Sequence, residues 1–164
     1  GGLWRRNARP PQQLVGIGFT AQGVFIGEGY KRICFDPAFD WVFSGINDDV
    51  IGDFGFSGNG AAGFELDRVD PALVHGLDIT ILAQSFGDSF MLVPEEQLTH
   101  LTNLSGESEA QAKRADMVYV KTPSGGEVFA VGSITFCGSL PWNDFDNNVS
   151  RLLRNVVARF VDIT

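Results

Sequence analysis

Cysteine and histidine are scarce in this sequence, and their scarcity excludes several kinds of protein. Among 164 residues there are two cysteines and two histidines. Cys34 and Cys137 are too few for a disulfide framework, and neither belongs to a Cys-x-x-Cys pair. His75 and His100 form no His-x-x-x-His pair, so the spacing predicts no metal site in this chain. The low cysteine content fits a reducing compartment, and we expect a cytoplasmic protein.

Positive charge and long apolar runs are also scarce. The 12 Lys and Arg residues are outnumbered by 20 Asp and Glu, which gives a formal net charge of -8. Phosphate binding depends on clustered basic residues, so we expect no nucleic-acid partner. No run of about 18 apolar residues could span a bilayer, so we expect no membrane partner. The basic residues cluster only before Pro10 and Pro11, which predicts a solvated linker over residues 1–13 rather than an anion site.

The apolar residues predict one globular domain over residues 14–164. They make up 44% of the chain, and 12% of all residues are aromatic, which is ample for a buried core. The run Leu14–Phe19 predicts a buried strand, and the mixed composition of residues 21–56 predicts short strands and loops. The next predicted elements are a glycine-rich loop over residues 52–63, strands at residues 77–85 and 90–93, and a short helix from Pro94.

The last third of the chain carries the clearest patterns. Residues 117–120 and 128–131 flank a turn rich in proline and glycine, which predicts a hairpin whose second arm continues to Phe136. Apolar residues then recur at spacings of three and four, which predicts an amphipathic helix capped by Asp146 or Asn147. The predicted buried stripe consists of Val149, Leu152, Leu153, Val156, Val157, Phe160 and Val161. Strands followed by a closing helix favour an α/β fold, with α+β as the alternative.

Two segments could carry chemistry. Gly58–Gly63 matches the letters of a dinucleotide-binding fingerprint, but no buried strand precedes it, so we favour a structural glycine loop. Glu65 and Asp67 follow, and in an extended segment their spacing places both carboxylates on one face. One of them could act as a general acid or base if it is desolvated. The alternative is a solvated surface segment in which Asp67 pairs with Arg68.

The second segment joins the end of the hairpin to the final helix. An anion or a polarised carbonyl could bind at such a helix start, which makes Asn143 and Asn147 candidate substrate-binding residues. The alternative is that Asn147 and Asn148 only cap the helix. Cys137, at the beginning of this loop, is expected to be a small buried apolar residue.

Several motifs together resemble the carboxyl-terminal part of N,N-dimethylformamidase large (beta) subunits. The most specific is the block Asp146-Asn147-Asn148-Val149-Ser150, which follows the stretch Gly132–Leu140. The others, in the family's order, are Gly18–Gly23, Ile51–Gly55, Gly60–Gly63 with Glu65 and Asp67-Arg68, and Arg114–Tyr119. The resemblance covers nearly the whole chain from Leu14. Phe64 and Pro141-Trp142 depart from the family's pattern, which leaves another substrate or a loss of activity open.

The resemblance implies an enzyme that hydrolyses the amide bond of a small formamide such as N,N-dimethylformamide. It implies a mononuclear iron whose ligands, two tyrosines and a glutamate, lie upstream of this chain. Residues 14–164 would be the carboxyl-terminal part of the catalytic domain, with a flavodoxin-like sheet similar to class I glutamine amidotransferases, hairpin additions and a carboxyl-terminal helix. Glu65 would be the catalytic carboxylate, acting as general base.

The expected partners follow from the same resemblance. They are the upstream part of the same subunit, a small subunit, further copies in a homo-oligomer and a small amide substrate, and the fragment by itself is expected to be inactive. The alternative is a non-catalytic binding or assembly module with the same fold, since a fold alone does not determine function.

Overall fold

The computed structural model describes residues 4–23, 26–93 and 103–161. They form eight strands and four α-helical segments: α1 (Gln12–Val15), β1 (Gly18–Gly23), β2 (Tyr30–Arg32), β3 (Val50–Ile51), β4 (Glu65–Arg68), β5 (Asp78–Phe86), β6 (Phe90–Leu92), α2 (Glu109–Ala112), β7 (Arg114–Lys121), β8 (Glu127–Ala130), α3 (Phe136–Ser139) and α4 (Asn148–Phe160). Three short 3-10 segments lie at Trp4–Asn7, Pro37–Phe39 and Trp142–Phe145. The helix predicted from Pro94 lies outside the described residues.

The strands form two antiparallel sheets. One has the order β4-β1-β6 and the other β3-β2-β5-β7-β8. The longest pairing, between β5 and β7, runs from Asp78 opposite Lys121 to Phe86 opposite Arg114. The prediction of mixed helix and sheet is confirmed. A flavodoxin-like sheet is parallel and needs crossover helices. The strands described here are all paired antiparallel, and the α-helical segments between them have only four residues.

The amino-terminal strand begins later than predicted. Leu14 and Val15 belong to the single helical turn α1, and β1 starts only at Gly18. Pro11, with φ -53° and ψ -32°, already has helical dihedrals at the start of this turn. Gly16, with φ +83°, ends the turn in the left-handed conformation. The side chain of Leu14 is therefore exposed rather than buried in a strand.

The predicted strands and hairpin in the second half of the chain are confirmed. The segments at residues 77–85 and 90–93 correspond to β5 and β6, and the hairpin corresponds to β7 and β8. Its second arm ends at Ala130, however, and Phe136 begins the helical turn α3. The cause is Gly132, whose φ of +66° turns the chain away from β7. A Cβ at Gly132 would lie 2.6 Å from the Asp67 carbonyl oxygen and 2.7 Å from that of Asp116. Gly132 therefore occupies the junction between β4 and β7, where the two sheets meet.

Helix α4 closes the core. Asn147 caps it, because its Oδ1 accepts a hydrogen bond from the Ser150 amide at 2.8 Å. Val149, Leu152 and Val156 are buried against the sheets. The prediction of a fully buried seven-residue stripe is wrong at its carboxyl-terminal end, where Val157, Phe160 and the residue after the helix, Val161, are 48%, 44% and 55% exposed.

The exposed flank of α4 borders an apolar groove of about 840 Å³. Its apolar lining comes from Leu140, Phe145, Leu153 and Val157, and Arg151 and Arg154 stand among the polar lining residues. The apolar side of the helix is thus wider than the sheet surface that it covers, and the apolar residues left uncovered line this groove.

A buried ionic cluster lies at the junction of the sheets. Arg68, for which the alternative interpretation of the sequence was a solvated surface position, is fully buried. Its Nη1 lies 2.8 Å from Glu107 Oε2, and Arg114 Nη1 lies 2.9 Å from the same oxygen. Asp70 Oδ2 lies 3.5 Å from Arg68 Nη2, and Asp116 Oδ1 lies 2.8 Å from Arg114 Nε. Asp70 and Asp116 lie two residues from Arg68 and Arg114 in the sequence, whereas Glu107 comes from another segment and joins the two arginines. Together the three carboxylates compensate the cost of burying both arginines.

Candidate functional site around Glu65

Glu65 lies on the open face of the smaller sheet. Burial alternates along β4, with Leu66 and Arg68 buried, Glu65 exposed and Asp67 half-buried. The prediction that the two carboxylates share a face is therefore confirmed. Gln22 on β1 lies opposite Glu65, and Met91 on β6 lies opposite Gln22. Both of these side chains are exposed, so Glu65 belongs to an open row that crosses all three strands.

The glycine tract before Glu65 packs against another piece of backbone. Ala62 and Glu28 exchange two backbone hydrogen bonds of 2.8 and 2.9 Å. A Cβ at Gly60 would lie 2.3 Å from the carbonyl carbon of Gly27, so a side chain has no room there. The tract consists of turns and leads into strand β4 rather than into a helix. The dinucleotide fingerprint interpretation is therefore wrong, and the structural loop is confirmed.

The chain immediately before Glu65 is strained and held from two sides. Phe64 has a φ of +58°, which costs a residue with a side chain about 1–3 kcal/mol. Its carbonyl oxygen accepts a hydrogen bond of 2.8 Å from the Gly23 amide of β1. On the opposite side, Ser133 Oγ accepts from the Gly63 amide and donates to the Gly63 carbonyl, both at 2.7 Å. Strained backbone kept in place by surrounding contacts is a feature of functional sites.

Tyr30 anchors the segment that carries Ser133. Its buried hydroxyl donates a hydrogen bond to the Val131 carbonyl oxygen and also lies against the Ser133 hydroxyl. Burial raises the pKa of Tyr30 well above its ordinary value, and the charges of Asp116 and Asp67 raise it further. Tyr30 therefore stays protonated at neutral pH and keeps the proton that it donates.

The predicted substrate-binding asparagines lie in the loop before α4. Asn147 Nδ2 donates to the carbonyl oxygens of Leu140 at 2.9 Å and Trp142 at 2.6 Å, while its Oδ1 caps the helix. Asn143 Nδ2 donates to the Asp146 carbonyl at 2.9 Å. These bonds give Asn147 the capping role that was the alternative to substrate binding. In the part of the chain that the structure describes, no hydrogen bond joins either asparagine to Glu65.

Asn143 belongs to an unusual stretch of backbone. Asn143, Asp144 and Phe145 have φ values of +51°, +52° and +67°. The ring of the preceding residue, Trp142, stacks on Phe54 with 5.9 Å between centroids.

Cys137 is exposed, so the prediction of a buried small residue is wrong. It lies in α3, whose Phe136 and Ser139 take the buried positions instead.

Sequence reasoning missed two residues that contact the glycine tract before Glu65. Ser133 was noted only as part of a motif, and its partner Gly63 is 70 positions away. Glu28 is half-buried and lines a polar pocket of about 350 Å³ together with Asp88 and Lys113. A sequence signal existed for Glu28, since the flanking Gly27 and Gly29 indicate a close backbone approach.

The described residues do not fit an iron centre. Among residues 4–23, 26–93 and 103–161, no three His, Cys, Asp or Glu side chains come together as they would around a metal ion. The two tyrosines of the chain, Tyr30 and Tyr119, are both buried in the core. This stretch therefore offers no ligand set for the iron that the resemblance implies.

Within the same described residues, no helix combines the length and apolar character needed to cross a membrane.

Comparison with known proteins places these features in a family. The family described as N,N-dimethylformamidase beta subunit-like, C-terminal, matches residues 1–149. Two relatives, the N,N-dimethylformamidase beta subunits of Alcaligenes sp and Paracoccus aminophilus, are each 38% identical to this chain over 167 aligned residues. The alignments cover 98% of this chain and 22% of each relative. The chain belongs to the N,N-dimethylformamidase beta subunit-like family, and it spans about a fifth of the length of these relatives.

Proposed function

We propose that this chain is the carboxyl-terminal part of the large subunit of a cytoplasmic amidohydrolase that cleaves a small formamide such as N,N-dimethylformamide. The names of its relatives support the substrate class. The observation that carries a catalytic role is the position of Glu65, an exposed carboxylate that directly follows a strained residue on a rigidly held strand.

In the proposed reaction Glu65 is the general base. Its carboxylate takes a proton from a water molecule while the water oxygen attacks the carbonyl carbon of the amide. The bond between the carbonyl carbon and nitrogen then breaks, and the amine leaves with the proton that Glu65 returns. The products are formate and an amine. The neighbouring Gln22 has an amide that can donate to a substrate oxygen on the same face.

The proposal requires another part of the enzyme to cover Glu65. A carboxylate open to bulk water is fully hydrated, whereas a catalytic base acts in a site from which bulk water is excluded. Phe64 and Met91, which are 41% and 43% exposed, supply apolar surface beside Glu65 for such a cover. We propose that the upstream part of the same subunit, with its glutamine-amidotransferase-like portion and iron ligands, closes over this face. A small subunit and further copies in a homo-oligomer complete the proposed assembly.

A non-catalytic assembly module is the second candidate. The apolar groove beside α4 favours it, because Val157 and Phe145 are 48% and 65% exposed there and a surface of this kind is commonly covered by a partner. In this alternative the face around Glu65 contributes contacts but no chemistry, and its carboxylate is dispensable.

Replacing Glu65 by Gln in the full-length enzyme decides between the two. Loss of a general base should lower kcat by about a hundredfold or more, with the iron content unchanged. Glu109→Gln is the matched control, because Glu109 is exposed and forms a surface ion pair of 3.4 Å with Lys113. Wild-type turnover in the Glu65→Gln enzyme would favour the assembly module. If Asp67→Asn alone abolished activity, Asp67 and not Glu65 would be the base.

A further inference from the structure

We propose that Ser133 is a positioning residue for Glu65, acting through the backbone of Gly63 and Phe64. This inference rests on the proposed function of Glu65 as the base. Ser133 is half-buried and follows Gly132 at the junction of the two sheets. It is a positioning residue because its bonds go to backbone atoms two residues before the reacting carboxylate.

The first argument is the pair of bonds that Ser133 makes. Its single hydroxyl satisfies both the amide and the carbonyl of Gly63, each at 2.7 Å. A second hydroxyl, Thr135 Oγ1, lies within hydrogen-bonding distance of Ser133 Oγ, at 3.3 Å. Removing the Ser133 hydroxyl leaves a donor and an acceptor of Gly63 without this partner, so the two peptide groups that flank the Gly63 Cα are held less firmly.

The second argument is that Glu65 lies midway between two fixed points. Ser133 holds Gly63, and the Gly132 carbonyl accepts a hydrogen bond of 2.8 Å from the Asp67 amide. On the other edge of β4, Gly23 binds the Phe64 carbonyl. Phe64 can keep its positive φ only while these bonds hold it, because a residue with a side chain relaxes from that region when it is released.

The third argument is that Ser133 is itself fixed. The hydroxyl of the buried Tyr30 binds the carbonyl of Val131, two residues before Ser133. Gly132 fits between the carbonyl oxygens of Asp67 and Asp116 with no room for a side chain. The larger sheet thereby sets the position of Ser133, and Ser133 sets the direction in which the Glu65 side chain leaves β4.

A double-mutant cycle on kcat in the full-length enzyme tests the proposal. Ser133→Ala should lower kcat by about ten- to a hundredfold, since a displacement of about 1 Å at a catalytic group has effects of that size. KM should change little, because Ser133 does not contact the substrate. In the Glu65→Gln background the same replacement should have almost no further effect, since a base that is absent cannot be misplaced.

Two further variants separate positioning from general loss of structure. Ser133→Thr keeps the hydroxyl and should restore most of kcat. Asn155→Ala also removes a side chain that makes two bonds to backbone, to the carbonyls of Val42 at 3.0 Å and Ser44 at 2.9 Å, but it lies on α4. It should leave kcat within about twofold of wild type, as expected for a purely structural contact away from the site.

The outcomes distinguish this inference from the function on which it rests. If Ser133→Ala lowers kcat equally in the wild-type and Glu65→Gln backgrounds, Ser133 does not act through Glu65 and the inference is overturned alone. If Glu65→Gln itself has wild-type turnover, the proposed function fails, and the role of Ser133 fails with it. Faster hydrogen exchange of the Gly63 amide in Ser133→Ala would support the inference, and an unchanged rate would count against it.

Discussion

The buried cluster at the sheet junction gives a quantitative test through Asp116. Its Oδ1 accepts hydrogen bonds from Arg114 Nε and Gln84 Nε2, and its Oδ2 accepts one from the Val69 amide, each at 2.8 Å. Asp116 is fully buried, so these three donors satisfy its charge in place of water. Replacement by Asn keeps the shape but removes the charge, and it turns an NH2 group toward one of the donors.

The expected loss follows from what remains after the change. Breaking a buried ion pair by removing one partner costs about 3–5 kcal/mol. Arg114 still has Glu107, whose Oε2 lies 2.9 Å from its Nη1, so its charge stays partly compensated. We therefore expect Asp116→Asn to lower the free energy of unfolding by about 3 kcal/mol. With a denaturant slope of at most about 3 kcal/mol per molar urea, the unfolding midpoint falls by about 1 M or more.

Asp40→Asn is the matched control in the same urea titration. Asp40 also pairs with an arginine, at 2.6 Å from Arg32 Nη2, but its side chain is 62% exposed. Water screens such a pair, so the expected loss is about 1 kcal/mol or less. Equal losses for Asp116→Asn and Asp40→Asn, or a loss below about 1 kcal/mol for Asp116→Asn, would refute the interpretation that burial makes this cluster strong.

Two further predictions concern alkaline pH and helix α4. Burial, followed by the hydrogen bond and charge of Glu127, raises the pKa of Tyr119 to about 12. Because the pKa of an unfolded tyrosine is about 10, the protonated phenol stabilises the fold fully below that pH and loses this effect as the pH rises toward about 12. The urea midpoint of unfolding should fall over that pH range, and it should fall less in Tyr119→Phe. Equal declines in the two proteins would contradict the ionisation of Tyr119 as the cause. In α4, Leu152→Ala should lower the free energy of unfolding by about 2–5 kcal/mol, because Leu152 is fully buried. Val157→Ala should lower it by about 1 kcal/mol or less, because Val157 is 48% exposed. Equal losses for the two variants would contradict the observed docking of the helix.

Local patterns predicted the elements whose partners are close in sequence. The hairpin of β7 and β8 needed only two apolar segments and a turn rich in proline and glycine, all within about twenty residues. The start of α4 was predicted because Asn147 caps the helix through the Ser150 amide, which is only three residues away in the sequence. Alternation along β4 likewise predicted that Glu65 and Asp67 share a face.

The predictions that failed depended on distant partners. A surface position was the alternative interpretation of the segment that contains Arg68, because Glu65 and Asp67 are charged. Arg68 is instead buried, and it pairs with Glu107, which lies 39 positions later in the sequence. The full stripe of α4 was assigned to the core because periodicity shows which side chains share a face, but not how wide a surface covers that face. In the same way Ser133 could not be connected with Gly63 before the sheets were in place.

The contact between Gly27 and Gly60 limits how this region can change during evolution or engineering. A methyl group on Gly60 would collide with the Gly27 backbone, and one on Gly27 would come within 2.7 Å of the Gly60 carbonyl oxygen. Neither glycine can therefore compensate for a change in the other, because both methyl groups would compete for the same gap. Relatives that adapt to new substrates should accordingly keep the backbone path to Glu65 and vary the residues that cover it.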